Sequence, residues 1–444
     1  MTRSPAPGPA PPCDRASPAR RQRLAHFARL LLGPLAALAL IPVLLTELHL
    51  FSVHDLVGSA IPDTIYLEHA AQGLVRGHQP YAAGFLTWPD SRLAFVYPPL
   101  SLLLAVPPLL AGSDYSFGLA LELLLLTLAG LWLLHRGCRW AGISFPVALV
   151  SGLLMVAVGL TLVTRLDGLQ GLALAGAALA LRGRRVALAV ALVALAVLVK
   201  ETAVVVALPV LVWALWPADG TGWREGLGRR LGAVVLGLSP AVLLLVGFVA
   251  WSGGSVLPAA FASLNRGVEV ESVPATLAGL LRPLFPLRSF VGKLASTQVH
   301  GAEVGWIAAA VATAGVLALI WGSFHFARAQ RQPATAIAFS LAVGLAASPV
   351  LSPQYLLALM PVLVLAAGTE AGRRRGNLLL LSALGMALLT QAEFPYLFGS
   401  VASLAPWGTG LVAARNLLLI ATAVNLVRPG QDQASIAAPV PVAP

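Results

Sequence analysis

The sequence predicts an all-α polytopic membrane protein, and three observations carry that prediction. Of the 444 residues, 58% are hydrophobic and 11% charged, with a mean hydropathy of +0.84; soluble domains carry about 25% charged residues. Apolar runs of about twenty residues recur from Leu30 to Val427, the length one crossing of hydrocarbon needs. Arginines gather in short clusters between those runs, as they do in the cytoplasmic loops of membrane proteins. In lipid only helices and closed barrels satisfy the backbone. Runs this long and this rich in Leu and Ala lack the alternation of barrel strands.

Residues 1–29 are rich in Pro, Ala and Arg and end in RQRLAHFAR. They read as a disordered cytoplasmic tail before an uncleaved first helix over 30–51. The arginine clusters then fix the threading. They are Arg15 to Arg29, Arg136/Arg139, Arg182/Arg184/Arg185, Arg224/Arg229/Arg230, Arg328/Arg331, Arg373 to Arg375, and Arg428. Keeping all of them inside requires an even number of crossings between neighbours. The expected crossings are 30–51, 114–135, 144–164, 168–181, 186–199, 202–217, 231–252, 302–326, 334–349, 352–368, 377–392 and 410–427. External loops cover 52–93 and 253–301, and a second disordered tail covers 429–444. The run 94–112 is bracketed by Tyr97-Pro98-Pro99 and Pro107-Pro108. Proline interrupts helices, so this run is expected as a re-entrant or interfacial element. The total is about twelve crossings with both termini inside, and twenty of the 29 Lys and Arg fall on the inner side.

The net charge of +11 is accounted for by these loops facing anionic lipid, and no soluble basic domain points to nucleic acid. Cys13 and Cys138 both fall on the expected cytoplasmic side, so neither a structural disulfide nor a cysteine metal site is expected. His54, His69, His78 and His300 lack ligand spacing, and the chain has no Walker A or GxGxxG pattern. No metal and no cofactor are expected.

The same threading brings Asp63, Arg165, Asp167, Lys200, Glu201 and Arg415 to the external face. Charges near hydrocarbon are expensive and mark functional sites by default. Residues 63–76 read as an amphipathic helix, with Ile65, Leu67, Ala70, Leu74 and Val75 apolar and Gly77 ending it. Asp63 is then either a first-turn acid of that helix or a reactive carboxylate. Arg165 and Asp167 either pair across a tight turn or face a ligand, and Lys200-Glu201 presents the same choice. Arg415 has no acid nearby in sequence, so it must find one in the fold or bind an anion. Ser352-Pro353-Gln354-Tyr355 breaks a helix at the same level, and Glu393 lies in another outer turn. Such a face suits a lipid-linked phosphate, with its tail among helices and its headgroup on Lys or Arg.

Asp63-x-x-Tyr66, Gly77-x-x-Pro80-Tyr81 and Phe95-x-Tyr97-Pro98-Pro99-Leu100 follow one another within about 40 residues. This order resembles the first external loop of the GT-C class of glycosyltransferases, family GT87 (DUF2029). Gln170, Lys200, Ser352-Pro353-Gln354-Tyr355 and Arg415-Asn416 are weaker matches, and the resemblance spans roughly 30–428. Two features depart from the family: Lys200 is followed by Glu201-Thr202 where a proline is frequent, and Asp63 is a lone acid. The resemblance implies a GT-C-like bundle and a mannosyltransferase using a polyprenyl-phosphate sugar donor and an external lipid or glycan acceptor. It implies Asp63 as general base, and Lys200, Arg415 and Arg165 on the donor phosphate. Tyr66, Asp167, Gln170, Glu201, Gln354 and Tyr355 would bind sugar or acceptor hydroxyls. Tyr81, Tyr97, Pro98 and Pro99 would shape the loop. The alternative is a transporter or flippase of lipid-linked sugars that makes no bond.

Overall fold

The structure is a computed structural model. It describes residues 62–82, 84–88, 91–112, 114–159, 161–217, 226–260, 266–282, 284, 286–292, 296–329 and 332–428. The expected tails 1–29 and 429–444 and the expected first helix 30–51 lie outside the described residues.

Helix α1 (Pro62–Val75) forms where the sequence places it. Gly77, at φ +78, turns the chain out of it, and the His78 N–H reaches back to the Gly73 carbonyl at 2.9 Å. The buried face is Thr64, Leu67, Ala70 and Ala71, while Ile65 and Val75 are exposed. The expected apolar face is therefore corrected: positions three and four apart share a face, and Ile65 and Val75 fall off that stripe. A hairpin of β1 (Leu86–Trp88) and β2 (Ser91–Leu93) follows. The run 94–112 contains only α2 (Pro99–Leu104), started by Pro99, and a tight turn over Pro107–Ala111. Neither piece is long enough to cross a bilayer, at about 1.5 Å per residue.

The bundle proper consists of α3 (Tyr115–Trp140), α4 (Val147–Ala157), α5 (Thr161–Thr164), α6 (Asp167–Arg182), α7 (Val186–Val199), α8 (Val204–Leu215) and α9 (Leu227–Trp251). The segment that follows folds as α10 (Val256–Ala260), β3 (Val268–Glu269), α11 (Val273–Leu280), β4 (Arg288–Val291) and β5 (Thr297–His300). Its strands form an antiparallel sheet in the order β3-β5-β4, with Val268 opposite Val299 and Ser289 opposite Val299 on the other side. The chain is thus mainly helical but not all-α. Strands of two to four residues carry too little pattern to read in sequence. The remaining helices are α12 (Val304–Ala329), α13 (Pro333–Ala347), α14 (Tyr355–Thr369), α15 (Arg373–Gln391), α16 (Phe398–Ala402) and α17 (Pro406–Val427).

Five of these stretches are long and apolar enough to cross a membrane: α3, α9, α12, α15 with α16, and α17. The protein is therefore membrane-embedded in character. Alpha-14 differs from the long helices, because every residue from Tyr355 to Ala367 is buried. A helix apolar all round sits in the centre, and α13 and α14 are such helices. Alpha-3, α9 and α12 surround them, with most of their surface turned outward. Close packing of the centre relies on small residues: Gly171 of α6 rests on the backbone carbonyls of Leu357 and Ala358 in α14.

Among the described residues, arginine clusters meet in pairs at helix ends. Arg375 donates to the Leu426 and Arg428 carbonyls, Gly376 packs on Ala367, and Gly137 packs near Leu179. At the opposite end the helices stop at different levels. Gly315 of α12 packs on Ala347, the last residue of α13, so α12 runs on for the eleven residues back to Val304. That is about 16 Å of helix at 1.5 Å per residue. The central helices thus end in a recess, which the 266–303 segment and the α1–α2 region fill.

Gly171→Val should be poorly tolerated, since its methyls meet backbone that cannot rotate away. A loss of about 1–3 kcal/mol is expected for such overpacking, read as a lower thermal unfolding midpoint of the detergent-solubilised protein.

Candidate functional site

Alpha-7 and α8 form one apolar run in sequence, broken at Lys200. Lys200 is extended, at φ −157 and ψ 133, and a tight turn over Glu201–Ala203 restarts the helix. The break exposes backbone groups, and Gln170 of α6 satisfies them. Its Nε2 donates to the Lys200 carbonyl at 2.7 Å and to the Ala196 carbonyl at 3.3 Å, and its Oε1 accepts from Thr202 Oγ1 at 3.0 Å. One turn earlier on α6, Asp167 Oδ2 accepts from Lys200 Nζ at 2.8 Å. The same turn of α6 therefore holds both the backbone and the ammonium of Lys200. Lys200 Nζ also lies 4.3 Å from the Tyr355 ring centre and 5.9 Å from that of Tyr97, within cation–π range. Asp167 is wholly buried and Lys200 nearly so, so each charge depends on the other for its solvation. The first turn of a helix adds a further favourable field at Asp167.

A small cleft adjoins this pair, lined by Leu67, Tyr97, Thr164, Arg165, Leu166, Asp167, Val199 and Lys200. Asp167 Oδ1 is buried and has no hydrogen-bond partner among the described residues. Arg165, Asp167 and Lys200 thus border one small space. Alpha-1 contributes Leu67 to its wall. Asp63 stands four residues earlier in α1, one turn away along the same side of the helix; its side chain lies outside the described residues.

The aromatic residues of the 62–97 region are committed to one another. Tyr66 donates to the Ala94 carbonyl at 2.5 Å and accepts from the Val96 N–H at 2.7 Å. Buried Tyr81 donates to the Tyr97 carbonyl at 3.0 Å, and its burial raises the phenol pKa above the ordinary value. Phe95 sits between them, with ring centres 5.3 Å from Tyr66, 5.6 Å from Tyr81 and 5.7 Å from Tyr97. Pro98 and Pro99 carry the chain from this knot into α2.

A second cluster adjoins the first. Buried Arg415 of α17 donates Nη1 to Glu393 Oε2 and Nη2 to the Glu271 carbonyl, each at 2.5 Å. Asn416 Nδ2 donates to the same carbonyl at 3.1 Å and to Thr276 Oγ1 at 2.8 Å. Arg266 Nη2 lies 3.1 Å from Glu269 Oε1, Ser352 Oγ donates to Glu269 Oε2 at 3.2 Å, and the Glu269 N–H reaches the Pro349 carbonyl. The Glu271 and Glu393 carboxyls are within hydrogen-bond reach of each other. Burial, and then the Glu393 and Glu269 carboxylates, hold the Glu271 carboxyl well above its ordinary pKa. The two clusters meet at Tyr355, on which Glu269, Glu201, Arg266 and Asp167 all act electrostatically.

The structure therefore brings Arg165, Asp167, Gln170, Lys200, Glu201, Gln354, Tyr355 and Arg415 to one recess. The local pairings left open by the sequence resolve through tertiary contacts. Asp167 takes Lys200, not Arg165, and Arg415 finds Glu393, 22 residues away. Gln170 and Tyr66 spend their polar atoms on backbone groups and on Thr202. Glu201 stands in the field of Lys200 and, more weakly, Arg266. Gln354 is buried at the start of α14. Sequence reasoning missed Glu269 and Glu271; the signal for them was the acidic run VEVES in an otherwise apolar chain. No family model, no curated protein and no solved structure matches the chain.

Lys200→Met should strand the Asp167 charge and cost about 3–5 kcal/mol. Adding Asp167→Leu should recover most of that loss, read as unfolding midpoints of the two variants beside wild type. Glu271→Gln tests the second cluster. A carboxyl whose folded pKa is raised holds its proton more tightly when folded. Its contribution is therefore complete below the unfolded value near 4.5 and is lost as pH rises toward the folded one. The neutral glutamine should unfold at a higher temperature than wild type at pH 8, and the difference should vanish near pH 4.

Proposed function

We propose that the protein is an integral-membrane glycosyltransferase of about twelve crossings, GT-C-like and closest in plan to family GT87. It would move a sugar, mannose first among the candidates, from a polyprenyl-phosphate donor to a lipid or glycan acceptor at the external face of a bacterial plasma membrane. The observation that carries this reading is the recessed cleft in which Arg165, Lys200 and Asp167 converge beside α1. Two cations at the edge of hydrocarbon suit a phosphate whose tail stays in lipid.

In this reading the acceptor hydroxyl oxygen attacks the anomeric carbon and the bond from that carbon to the phosphate oxygen breaks, with inversion. Polyprenyl phosphate leaves with the bonding pair, and the hydroxyl proton passes to the Asp63 carboxylate. Lys200 and Arg165 stabilise the charge that develops on the leaving phosphate. Asp167 holds Lys200 in place. Arg415, saturated by Glu393 and the Glu271 carbonyl, holds the 266–303 segment over the recess instead of gripping donor. No metal and no cofactor enter the reaction.

The test uses purified wild type and Asp63→Asn with radiolabelled polyprenyl-phosphate mannose and a membrane lipid extract as acceptor. Label should pass to a new lipid with wild type, and the variant should be slower by about 10²–10⁴-fold, the span of general-base catalysis. Equal rates would remove Asp63 from the mechanism. Retention of donor with no transfer by either protein would favour a transporter of lipid-linked sugars, which needs the same cations but makes no bond.

A further inference from the structure

We propose that α11 and the turn after it, residues 273–282 and 284, lie within the membrane leaflet opposite the arginine clusters, with a leucine stripe against lipid acyl chains. The inference concerns the membrane alone and is independent of any reaction.

Depth is the first argument. Three contacts fix α11 along the first half of α17. Thr276 Oγ1 accepts from Asn416 Nδ2, Gly279 packs on the Thr409 methyl, and Arg282 Nη1 donates to the Leu404 carbonyl at 2.9 Å. Asn416 is ten residues into α17, which starts at Pro406. Thr276 therefore lies about 15 Å along that helix from its start, at 1.5 Å per residue, and Arg282 lies level with the start itself. Alpha-17 is one of the helices long and apolar enough to cross the membrane. A helix that descends along half of it sits at the depth of one leaflet.

The second argument is the two-sided apolar pattern. Ala275 and Ala278 are buried in a cluster with Val304, Val401 and Val412. On the other side, Leu277, Leu280, Leu281 and Leu284 follow the spacing of a single helical stripe. They are 39%, 66%, 39% and 71% exposed. Four leucines in one stripe form a patch that water would not favour.

The third is continuity. The stripe joins the outward surfaces of α12 and α17, whose first turns carry exposed Trp306 and Trp407. Tryptophans at that position mark the boundary of hydrocarbon and headgroups. The backbone is suited to the depth as well, because Ser272 Oγ accepts from the Ala275 N–H at 3.2 Å and caps the buried end.

The test places a single cysteine at Leu280 or Leu284, with Cys13 and Cys138 replaced by alanine, in the full chain. Each is labelled with bimane and reconstituted in phosphatidylcholine vesicles brominated on the acyl chain. Leu317→Cys on the exposed side of α12 provides the lipid-facing reference. Quenching by brominated lipid at both positions should reach at least half that at Leu317, with little quenching by aqueous iodide. Stronger quenching by iodide would place α11 in water. Weak quenching by both would mean that protein, such as a second copy of the chain, covers the stripe. Either result overturns the proposal.

Discussion

A fifteen-residue helix reaches about 22 Å, and a bilayer's hydrocarbon is about 30 Å thick. Alpha-13 and α14, the most buried helices, are each fifteen residues long. Their far ends therefore stop inside the slab that α12 and α17 cross. A helix end leaves unpaired N–H and C=O groups, which at that depth must find partners in protein or trapped water. The Gln170 side chain on the broken α7–α8 junction and the Glu269 N–H on the Pro349 carbonyl supply such partners. The polar recess follows from the shortness of the centre: once the helices stop early, polar side chains must complete them.

Those side chains divide by how far their bonds are used. Around Arg415 nearly every donor is consumed: Glu393, the Glu271 carbonyl and Asn416 surround it, and Asn416 in turn holds Thr276. That cluster acts as a clamp between α15, α17 and the 266–303 segment. Beside α1 the arrangement is looser. Lys200 makes one ion pair and two ring contacts, Asp167 has one oxygen without a hydrogen-bond partner among the described residues, and both border a cleft that Arg165 also lines. Truncating one partner of a buried pair is costly, while a pair beside a cleft can exchange one partner for a ligand of like charge. This contrast, more than the count of charges, separates a structural cluster from a binding one.

The helical plan was legible because two independent signals agree in it. Apolar runs give the helices, and arginine clusters give the end at which each loop emerges. The observed helices α3 to α9, α12 to α15 and α17 overlap the expected segments, while α10, α11 and α16 were not expected; the breaks at Lys200 and Pro349–Ser352 were readable from polar residues and prolines interrupting apolar runs. Partner choice was not legible. Asp167 is two residues from Arg165 and 33 from Lys200, yet it bonds Lys200, because α6 and α7 pack side by side. The 253–301 stretch read as a loop because its strands are two to four residues long, α10 spans only five residues, and α11 is apolar on both sides. An amphipathic signal disappears when one face meets protein and the other meets an apolar surface.

The order of motifs in the 63–100 region acquires a physical meaning from the same contacts. Tyr66 binds the backbone on both sides of Phe95, Tyr81 binds the carbonyl of Tyr97, and the rings close on Phe95. None of these residues needs to touch a ligand for its chemistry to matter. Together they weld α1 to the segment that carries Tyr97, and Tyr97 faces Lys200. Loosening the knot at Tyr66 would release α1 and Tyr97 together, and with them the placement of α1 relative to Lys200. A lone acid at the start of a short helix is ordinarily no more than a first-turn charge. Here the helix that bears it is fixed, through four aromatic rings and a proline turn, to the wall of a cleft that Arg165, Asp167 and Lys200 line.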